Sequence, residues 1–375
     1  MRRVKLTAAV AALVLLAAVP AHASPPPVEA RAYVVANTAT GEVLAQQRAS
    51  ERLPIASITK LMTVRIALRH LSLDQIVTVG RSSSAVGEST IHLRAGERLS
   101  VRDLVKGALI QSANDAADAL AAAAANGDTE QFVAWMNEEA QRLGLHDTHF
   151  TRPDGLDAPG HLSSARDVLR LARVVMHDRD VRAIVAERTD TIAGGRVLHT
   201  WNDLLGTFPG LIGVKTGHTG GAGWCEVAAV RRTGYTIYAV ILGSSTRSVR
   251  NAGLASLLSW GVSRYRVGPV IESARAYAVA APGWGKARLQ LVTPKGLVRA
   301  YRIDRPLVAR IVAPPVVSLP VARGQVLGRV QVWAGKRLLG ARPLVAARSI
   351  SRPGFAGRME WFAGRTLHHI GGFFT

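Results

Sequence analysis

The order of strand-like and helix-like patterns along the chain is the sequence feature that most restricts its fold. Near the start, two short apolar stretches flank the turn-forming segment 37–41, which predicts a hairpin. Apolar residues at helical spacing then predict a cluster of helices, and three later apolar runs predict strands before a closing helix. Strands on both sides of a helical cluster indicate an α+β domain, which we place at 24–266. The predicted strands are Ala32–Ala36, Glu42–Ala45, Leu211–Gly217, Trp224–Val230 and Thr236–Leu242.

Beyond residue 266 the pattern changes to short alternating stretches that Pro and Gly interrupt. Their spacing is typical of an all-β unit, so we predict a small β-rich domain at 267–348. In the last segment, 349–375, Phe355, Met359 and Ile370 recur near helical spacing among arginines and histidines. This pattern predicts an amphipathic helix that lies on a membrane surface. A helix packed against its own protein is the alternative.

The first 23 residues have the pattern of a secretory signal peptide. Three basic residues precede an uncharged, mostly apolar stretch, Leu6–Val19, and Ala21-His22-Ala23 has the small-x-small pattern of a cleavage site. The stretch is short for a membrane span, although an uncleaved N-terminal anchor is the alternative. We therefore expect a protein that is secreted across the cytoplasmic membrane.

Charge and cysteine content restrict the partners and the cofactors. The net charge is +21, and the basic residues are dispersed, with no run of five or more like charges. This dispersal argues against a dedicated nucleic-acid arm and favours an anionic surface or an acidic polymer, although charge alone does not exclude nucleic acid. The single cysteine, Cys225, cannot form an intramolecular disulfide. The histidines are scattered, so we expect neither a metal site nor a cofactor.

Ser57 and Lys60 are the candidate nucleophile and base. They lie three residues apart at a predicted helix start, so their side chains share one face. A serine hydroxyl is a weak nucleophile until a base takes its proton, and a lysine can act as that base only if burial keeps it neutral. Apolar neighbours such as Ile58 and Leu61 could supply the burial. In the alternative, Ser57 is a helix cap and Lys60 a solvated lysine.

Three motifs occur in a fixed order: Ser57-Ile58-Thr59-Lys60, Ser112-Ala113-Asn114 and Lys215-Thr216-Gly217. The first begins a predicted helix, the second lies between two helices, and the third ends a strand. Penicillin-binding proteins and class A β-lactamases carry this set. Together with Asp154-Gly155-Leu156-Asp157 and with His218-Thr219, it resembles the D-alanyl-D-alanine carboxypeptidases among the low-molecular-mass penicillin-binding proteins, of the serine β-lactamase-like superfamily. The resemblance covers nearly the whole mature chain.

The resemblance implies a catalytic domain with an antiparallel sheet and a helical cluster, a β-rich second domain and a C-terminal amphipathic anchor. It implies that Ser57 is acylated, that Lys60 is its general base and that Ser112 passes protons towards the leaving amine. Backbone N–H groups would form the oxyanion hole. The residues implied in substrate binding are Asn114, Lys215, Thr216, Gly217, His218 and Arg250, with Arg247 as the competitor of Arg250 for the substrate carboxylate.

The leading hypothesis is therefore a periplasmic serine carboxypeptidase, peripherally attached to the inner membrane, that removes the terminal D-alanine of peptidoglycan pentapeptides. The resemblance also implies that β-lactams inhibit it covalently, and no nucleic-acid partner is expected. A DD-endopeptidase or a weak β-lactamase on the same scaffold is the first alternative. A non-catalytic protein that binds the cell wall through its basic surface is the second, although such a protein has no need of a nucleophile.

Overall fold

The structure, a computed structural model, describes residues 10–14, 24–283, 287–355 and 359. These residues form two units. The first is Ser24–Ser263, and the second begins at Arg264 and includes Val10–Val14. The first unit combines a sheet with helices, and the second is built from strands, which confirms the predicted α+β class with a β-rich second part.

Ten strands precede residue 245 in the described chain. They are β1 Val10–Val14, β2 Ala32–Asn37, β3 Glu42–Gln47, β4 Ile76–Thr78, β5 Arg98–Ser100, β6 Thr189–Ile192, β7 Arg196–His199, β8 Leu211–Thr219, β9 Gly223–Arg232 and β10 Tyr235–Ser244. The predicted hairpin around residues 37–41 is present, and β6 and β7 form a second one. Each of the five strands named in the sequence analysis lies within an observed strand.

A five-stranded antiparallel sheet in the order β3-β2-β10-β9-β8 is the frame of the first unit. The inner strands are buried on both faces, which explains their nearly continuous apolar sequences. Gly261 lets the closing helix approach one face, because a Cβ there would lie 2.8 Å from Ile237 Cγ2. This order of pairing makes β8 an edge strand of the sheet, where its side chains can contact the helical cluster.

The helices of the first unit are α1 Lys60–His70, α2 Arg81–Ser84, α3 Val101–Lys106, α4 Asn114–Ala124, α5 Thr129–Arg142, α6 Ala165–Val175, α7 Arg179–Ile184 and α8 Arg247–Ser263. The segment Ser100-Val101-Arg102-Asp103 resembles a capping box and predicts a helix to about Ile110. The Ser100 side chain does accept a hydrogen bond from the Asp103 N–H, but the α-helix ends at Lys106 and continues as a π-turn, Gly107–Gln111. Ser112 then takes a left-handed conformation, with φ 65°, which ends the helix and turns the chain into α4.

The second unit contains β11 Tyr265–Ile271, β12 Ala276–Pro282, β13 Leu289–Val292, β14 Leu297–Arg302, β15 Leu307–Val312, β16 Val316–Val317, β17 Val326–Ala334 and β18 Arg337–Ala346. Seven strands form a sheet in the order β1-β15-β17-β18-β13-β12-β16, and β11 pairs with β14. The sequence analysis missed β11 and β16, which lack an alternating pattern. Apolar side chains such as Ile271, Leu291 and Val330 are fully buried and form a separate core.

The predicted signal peptide and the predicted C-terminal helix lie largely outside the described residues. Of the segment 1–23, the structure describes Val10–Val14, which runs antiparallel to β15. Of the segment 349–375, it describes residues 349–355 and Met359. Within the described ranges, no helix has the length and apolar character needed to cross a membrane.

Candidate active site

Ser57 lies in a short 3-10 turn, Ala56–Thr59, that leads directly into α1 at Lys60. The sequence analysis placed Ser57 in the first turn of a regular helix, and this detail is wrong because the turn is tighter. Ala56 has a φ of 49°, in the left-handed region. Gly155 lies against it so closely that a Cβ there would be 2.2 Å from the Ala56 carbonyl oxygen. The neighbouring loop therefore holds the turn that presents the serine.

The Lys60 amine is buried at the centre of the site. Its Nζ lies 2.7 Å from Ser57 Oγ, 2.7 Å from Asn114 Oδ1 and 2.7 Å from the Asp154 carbonyl oxygen, and the residue is 0% exposed. Burial lowers the pKa of Lys60 to about 7, against the opposing attraction of Asp154 and Asp115. A neutral amine has two N–H donors and one lone pair. If the donors bind Asn114 and Asp154, the lone pair is left to accept the serine proton.

Two carboxylates fix the loops around the amine. Asp154 accepts hydrogen bonds from Arg152 at 2.6 and 2.8 Å and from the Leu156 N–H at 2.9 Å. Burial is the largest single effect and would raise the pKa of Asp154, but the hydrogen bonds from Arg152 and Leu156 and the charges of Arg152 and Lys60 together lower it. Asp115 accepts from the backbone N–H groups of Ile91 and Leu93 and so ties the 87–93 loop to α4. The motif that contains Asp154 predicted no role for this residue, and no sequence pattern marked Asp115.

The Ser112 side chain contacts Lys215, which lies in the middle of the edge strand β8. The Lys215 Nζ donates to Ser112 Oγ at 2.7 Å and to the Thr216 carbonyl oxygen at 2.8 Å. Lys215 is 2% exposed, and burial followed by repulsion from Lys60 lowers its pKa well below the usual value. The site therefore contains two serine–lysine contacts, one within the first motif and one between the second and third motifs.

β8 runs directly beside the Ser57 turn. A Cβ at Gly217 would lie 2.8 Å from the Ile55 carbonyl oxygen and 3.1 Å from the Ser57 backbone nitrogen, so only glycine allows this approach. The next residue, His218, is exposed and packs on the Trp224 ring with centroids 4.0 Å apart. This approach places the backbone of the strand next to the serine, where an oxyanion hole needs its donors.

A cleft of about 250 Å³ opens over Ser57. Polar residues, two tryptophans and one glycine form its wall. They are Ser57, Glu88, Ser89, Ser112, Trp201, Thr216, Gly217, His218, Trp224 and Arg250. Of the predicted site residues, Lys60, Asn114 and Lys215 lie behind this wall, buried and in contact with it. The structure therefore brings all nine predicted residues to one place.

Arg250 and Arg247 differ in their surroundings. Arg250 is 1% exposed and lines the cleft, with its guanidinium 5.5 Å from the centre of the Trp224 ring. Arg247 is more exposed and binds Asp203, with 2.7 Å between Nε and Oδ2. Of the two candidates for the substrate carboxylate, only Arg250 contributes to the cleft wall.

Glu226, which the sequence analysis missed, lies behind Arg250. It is paired across the sheet with Thr216, is 0% exposed, and places Oε2 3.1 Å from Arg250 Nε. Neither carboxylate oxygen accepts a well-directed hydrogen bond within the described residues. The contact between Glu226 and Arg250 is therefore an ion pair without an aligned hydrogen bond. Burial raises the pKa of Glu226 to about 7, although Arg250 attracts the charged form. No sequence signal marks this residue, since a lone glutamate in an apolar strand fits no motif.

Among the residues that the structure describes, no three histidine, cysteine or acidic side chains are grouped so that they could hold a metal ion. Cys225 is fully buried, and burial raises the pKa of its thiol to about 11. Such a thiol is inert as a nucleophile, so the nucleophilic chemistry falls to the serine.

Comparisons of the sequence and of the structure with known proteins agree with one another. The family described as D-alanyl-D-alanine carboxypeptidase matches residues 19–246 of this chain. The D-alanyl-D-alanine carboxypeptidase DacC of Escherichia coli is 32% identical over 364 residues, which cover 92% of this chain and 90% of that protein. The structure of penicillin binding protein 6B from Escherichia coli has a TM-score of 0.65 and 30% identity, and the match covers 87% of this chain and 98% of that one. A penicillin-binding protein from Listeria monocytogenes, solved in its ampicillin-bound form, has a TM-score of 0.58 and 31% identity over 63% of this chain and 98% of its own.

Proposed function

The chain belongs to the D-alanyl-D-alanine carboxypeptidase family, and from that premise we propose that it removes the terminal D-alanine of peptidoglycan stem pentapeptides through an acyl-enzyme on Ser57. The observation that carries the proposal is the buried Lys60 amine, 2.7 Å from Ser57 Oγ, whose pKa is lowered to about 7. An amine with this pKa is half neutral at neutral pH, which suits a general base.

In the acylation step, the Ser57 Oγ attacks the carbonyl carbon of the penultimate D-alanine while Lys60 Nζ accepts the hydroxyl proton. The bond to the terminal D-alanine nitrogen then breaks, and that nitrogen takes up a proton through Ser112. The contact between Ser112 and Lys215 supports this relay, since the lysine lies 2.7 Å from the hydroxyl. Water then hydrolyses the ester and frees the shortened peptide.

The residues in the cleft wall indicate which groups would bind the substrate. Arg250 and Thr216 would bind the terminal carboxylate, and arginine suits this role because its guanidinium can make two parallel hydrogen bonds. The backbone N–H groups of Ser57 and His218 would stabilise the oxyanion. Support comes from the close approach of Gly217 to the Ser57 nitrogen, which brings both backbones to one edge of the cleft.

The experiment incubates the purified chain with a stem pentapeptide and measures released D-alanine and shortened peptide by mass spectrometry. Labelled penicillin is added in parallel, because a β-lactam carbonyl would acylate the same serine. We expect D-alanine release and a penicillin adduct on Ser57, and the Ser57→Ala variant should lose both. Ser263→Ala, a change at an exposed serine of α8, is the matched control and should retain both.

Other outcomes separate the alternatives. Cleavage of crosslinked peptides without release from pentapeptide would favour an endopeptidase. Rapid turnover of penicillin would favour a β-lactamase. A penicillin adduct without any peptide cleavage would favour a protein that only binds the cell wall.

We also propose that residues 1–23 direct secretion and that 349–375 attach the mature protein to the membrane surface. The sequence patterns of both segments support this proposal. A chain that ends at residue 349 should stay in the soluble fraction and retain D-alanine release. If the shortened protein still sediments with membranes, the attachment lies elsewhere.

A further inference from the structure

The first unit contains a second cavity, of about 300 Å³, that shares no lining residue with the cleft over Ser57. It lies at the other end of β8 and β9, where Ile212 and Arg231 contribute to its wall. Five residues separate Ile212 from Gly217 along β8, which corresponds to roughly 15 Å at the rise of a strand. The volume is at the lower end of the range for small-molecule sites. We call this cavity the arginine pocket, after Arg173, Arg182 and Arg231.

Three separate elements bring the arginines together. Arg173 comes from the last turns of α6, Arg182 from α7 and Arg231 from the end of β9. Among the described residues, none of the three forms an ion pair. Arg182 uses one nitrogen to donate to the Met176 carbonyl oxygen at 2.9 Å, and its other N–H groups keep no such partner within the described chain.

Nearby acids do not neutralise this charge. Asp178 uses its carboxylate to cap α7, accepting from the backbone N–H groups of Asp180 and Val181. Asp180 faces Arg102 instead. His177, also in the wall, binds the Arg173 carbonyl oxygen at 2.7 Å and adds no negative charge. The C-terminal carbonyl groups of α6 supply only a partial negative charge, against three full positive charges.

Tyr238 adds a hydroxyl group to the wall of the arginine pocket. Its side chain is 5% exposed and lines the cavity. The hydroxyl oxygen is not fully enclosed by the described residues, so it is accessible to a molecule that enters the cavity. Burial raises the pKa of Tyr238 to about 12, against the opposing effect of the three arginines. The hydroxyl therefore stays protonated at neutral pH and can donate to an anion.

We propose that the arginine pocket is a binding site for a phosphate ester. A phosphate group presents several acceptor oxygens to guanidinium groups, which bind it through paired hydrogen bonds, and the Tyr238 hydroxyl would add one more donor. The cavity has room for a phosphate together with an attached alcohol or sugar. The phosphate ester could be free in solution or part of a lipid headgroup, and the chemistry at the pocket is the same in both cases.

The test uses the mature chain, residues 24–375, with glycerol phosphate as the soluble probe. Isothermal titration calorimetry at low salt should give saturable 1:1 binding. Arg173→Gln and Arg231→Gln should each weaken it at least tenfold, and Tyr238→Phe should weaken it several-fold. Arg48→Gln removes the same charge at an exposed turn and should leave the affinity unchanged. The melting temperature of each variant checks that it is folded, and penicillin labelling checks separately that the cleft over Ser57 is intact.

A second arm identifies the source of the ester. Vesicles of phosphatidylglycerol and of phosphatidylcholine are sedimented with each protein. If phosphatidylglycerol binding falls in the pocket variants and glycerol phosphate competes with it, the site takes a lipid headgroup. If glycerol phosphate binds but the vesicles do not respond to the pocket variants, the site takes a soluble ester. Equal binding of glycerol phosphate by all variants, or no binding by the unaltered chain, overturns the proposal.

Discussion

The buried carboxylate of Glu226 allows a specific prediction about pH. Its Oε2 atom lies 3.1 Å from Arg250 Nε, and burial raises its pKa from 4.5 to about 7. Glu226→Gln keeps the shape of the side chain and removes the charge. The variant should lose a pH dependence of stability that the unaltered protein has. It should also remove one charge that competes with a substrate carboxylate for Arg250, while the contacts of Arg250 with Asn251 and Asp203 remain.

The sign and size of the effect follow from the pKa of Glu226. Below pH 4.5 the carboxyl is protonated in both the folded and the unfolded state, so it contributes no pH dependence. Between pH 4.5 and 7 the folded state binds more protons than the unfolded state, so the free energy of unfolding falls as pH rises. Above pH 7 the loss is complete, and a shift from 4.5 to about 7 corresponds to about 3 kcal/mol. The glutamine variant should lack this loss.

Urea unfolding of both proteins at pH 4.5, 6 and 8 measures this difference, which should be largest at pH 8. The KM for pentapeptide at pH 8 should fall several-fold in Glu226→Gln with kcat within about twofold, because the competing charge behind Arg250 is absent. Glu187→Gln, at an exposed position, is the matched control and should change neither quantity. An unchanged pH dependence of unfolding would refute the assigned pKa. A KM that rises at every pH would show that Glu226 holds Arg250 in place rather than competing with the substrate.

Three further predictions concern the residues around the nucleophile. The rate of penicillin acylation should rise with pH through about 7, because Lys60 must be neutral to accept the proton, and Lys60→Met should lower it by about 10³-fold; a flat stopped-flow profile would contradict this role. Gly155→Ala should lower the free energy of unfolding in urea by about 3 kcal/mol or more and slow acylation, because the new Cβ would lie 2.2 Å from the Ala56 carbonyl oxygen. Gly41→Ala is the control: it has a similar positive φ but open space around it, so it should lower the free energy of unfolding by about 1 kcal/mol. Burial lowers the pKa of His161 to about 4, so between pH 6.5 and 4 the unfolded state binds a proton at this residue that the folded state does not. The free energy of unfolding should therefore fall by up to about 3 kcal/mol as pH falls from 6.5 to 4. His161→Gln should remove that loss, and identical pH dependences of unfolding for the two proteins would refute the prediction.

The elements of the first unit were predictable because helix and strand periodicity and turn residues are local properties of the chain. The strand predicted at Leu211–Gly217 is observed as Leu211–Thr219, and the predicted closing helix is observed as Arg247–Ser263. The missed strand Tyr265–Ile271 contains Gly268 and Pro269 and has no alternating pattern. Its pairing with β14 is a long-range contact, which local periodicity does not reveal.

The sequence by itself determined that Ser57 and Lys60 lie within one turn of each other, because three residues of helical chain fix that distance whatever surrounds them. Only the tertiary structure decided that Lys60 is fully buried, that Glu226 lies behind Arg250 and that three arginines line one cavity together with Tyr238. Burial and charge pairing depend on residues that are far apart in the chain and close in space. The pKa values that make the site reactive therefore come from the packing of the first unit, while the motifs specify only which groups are present.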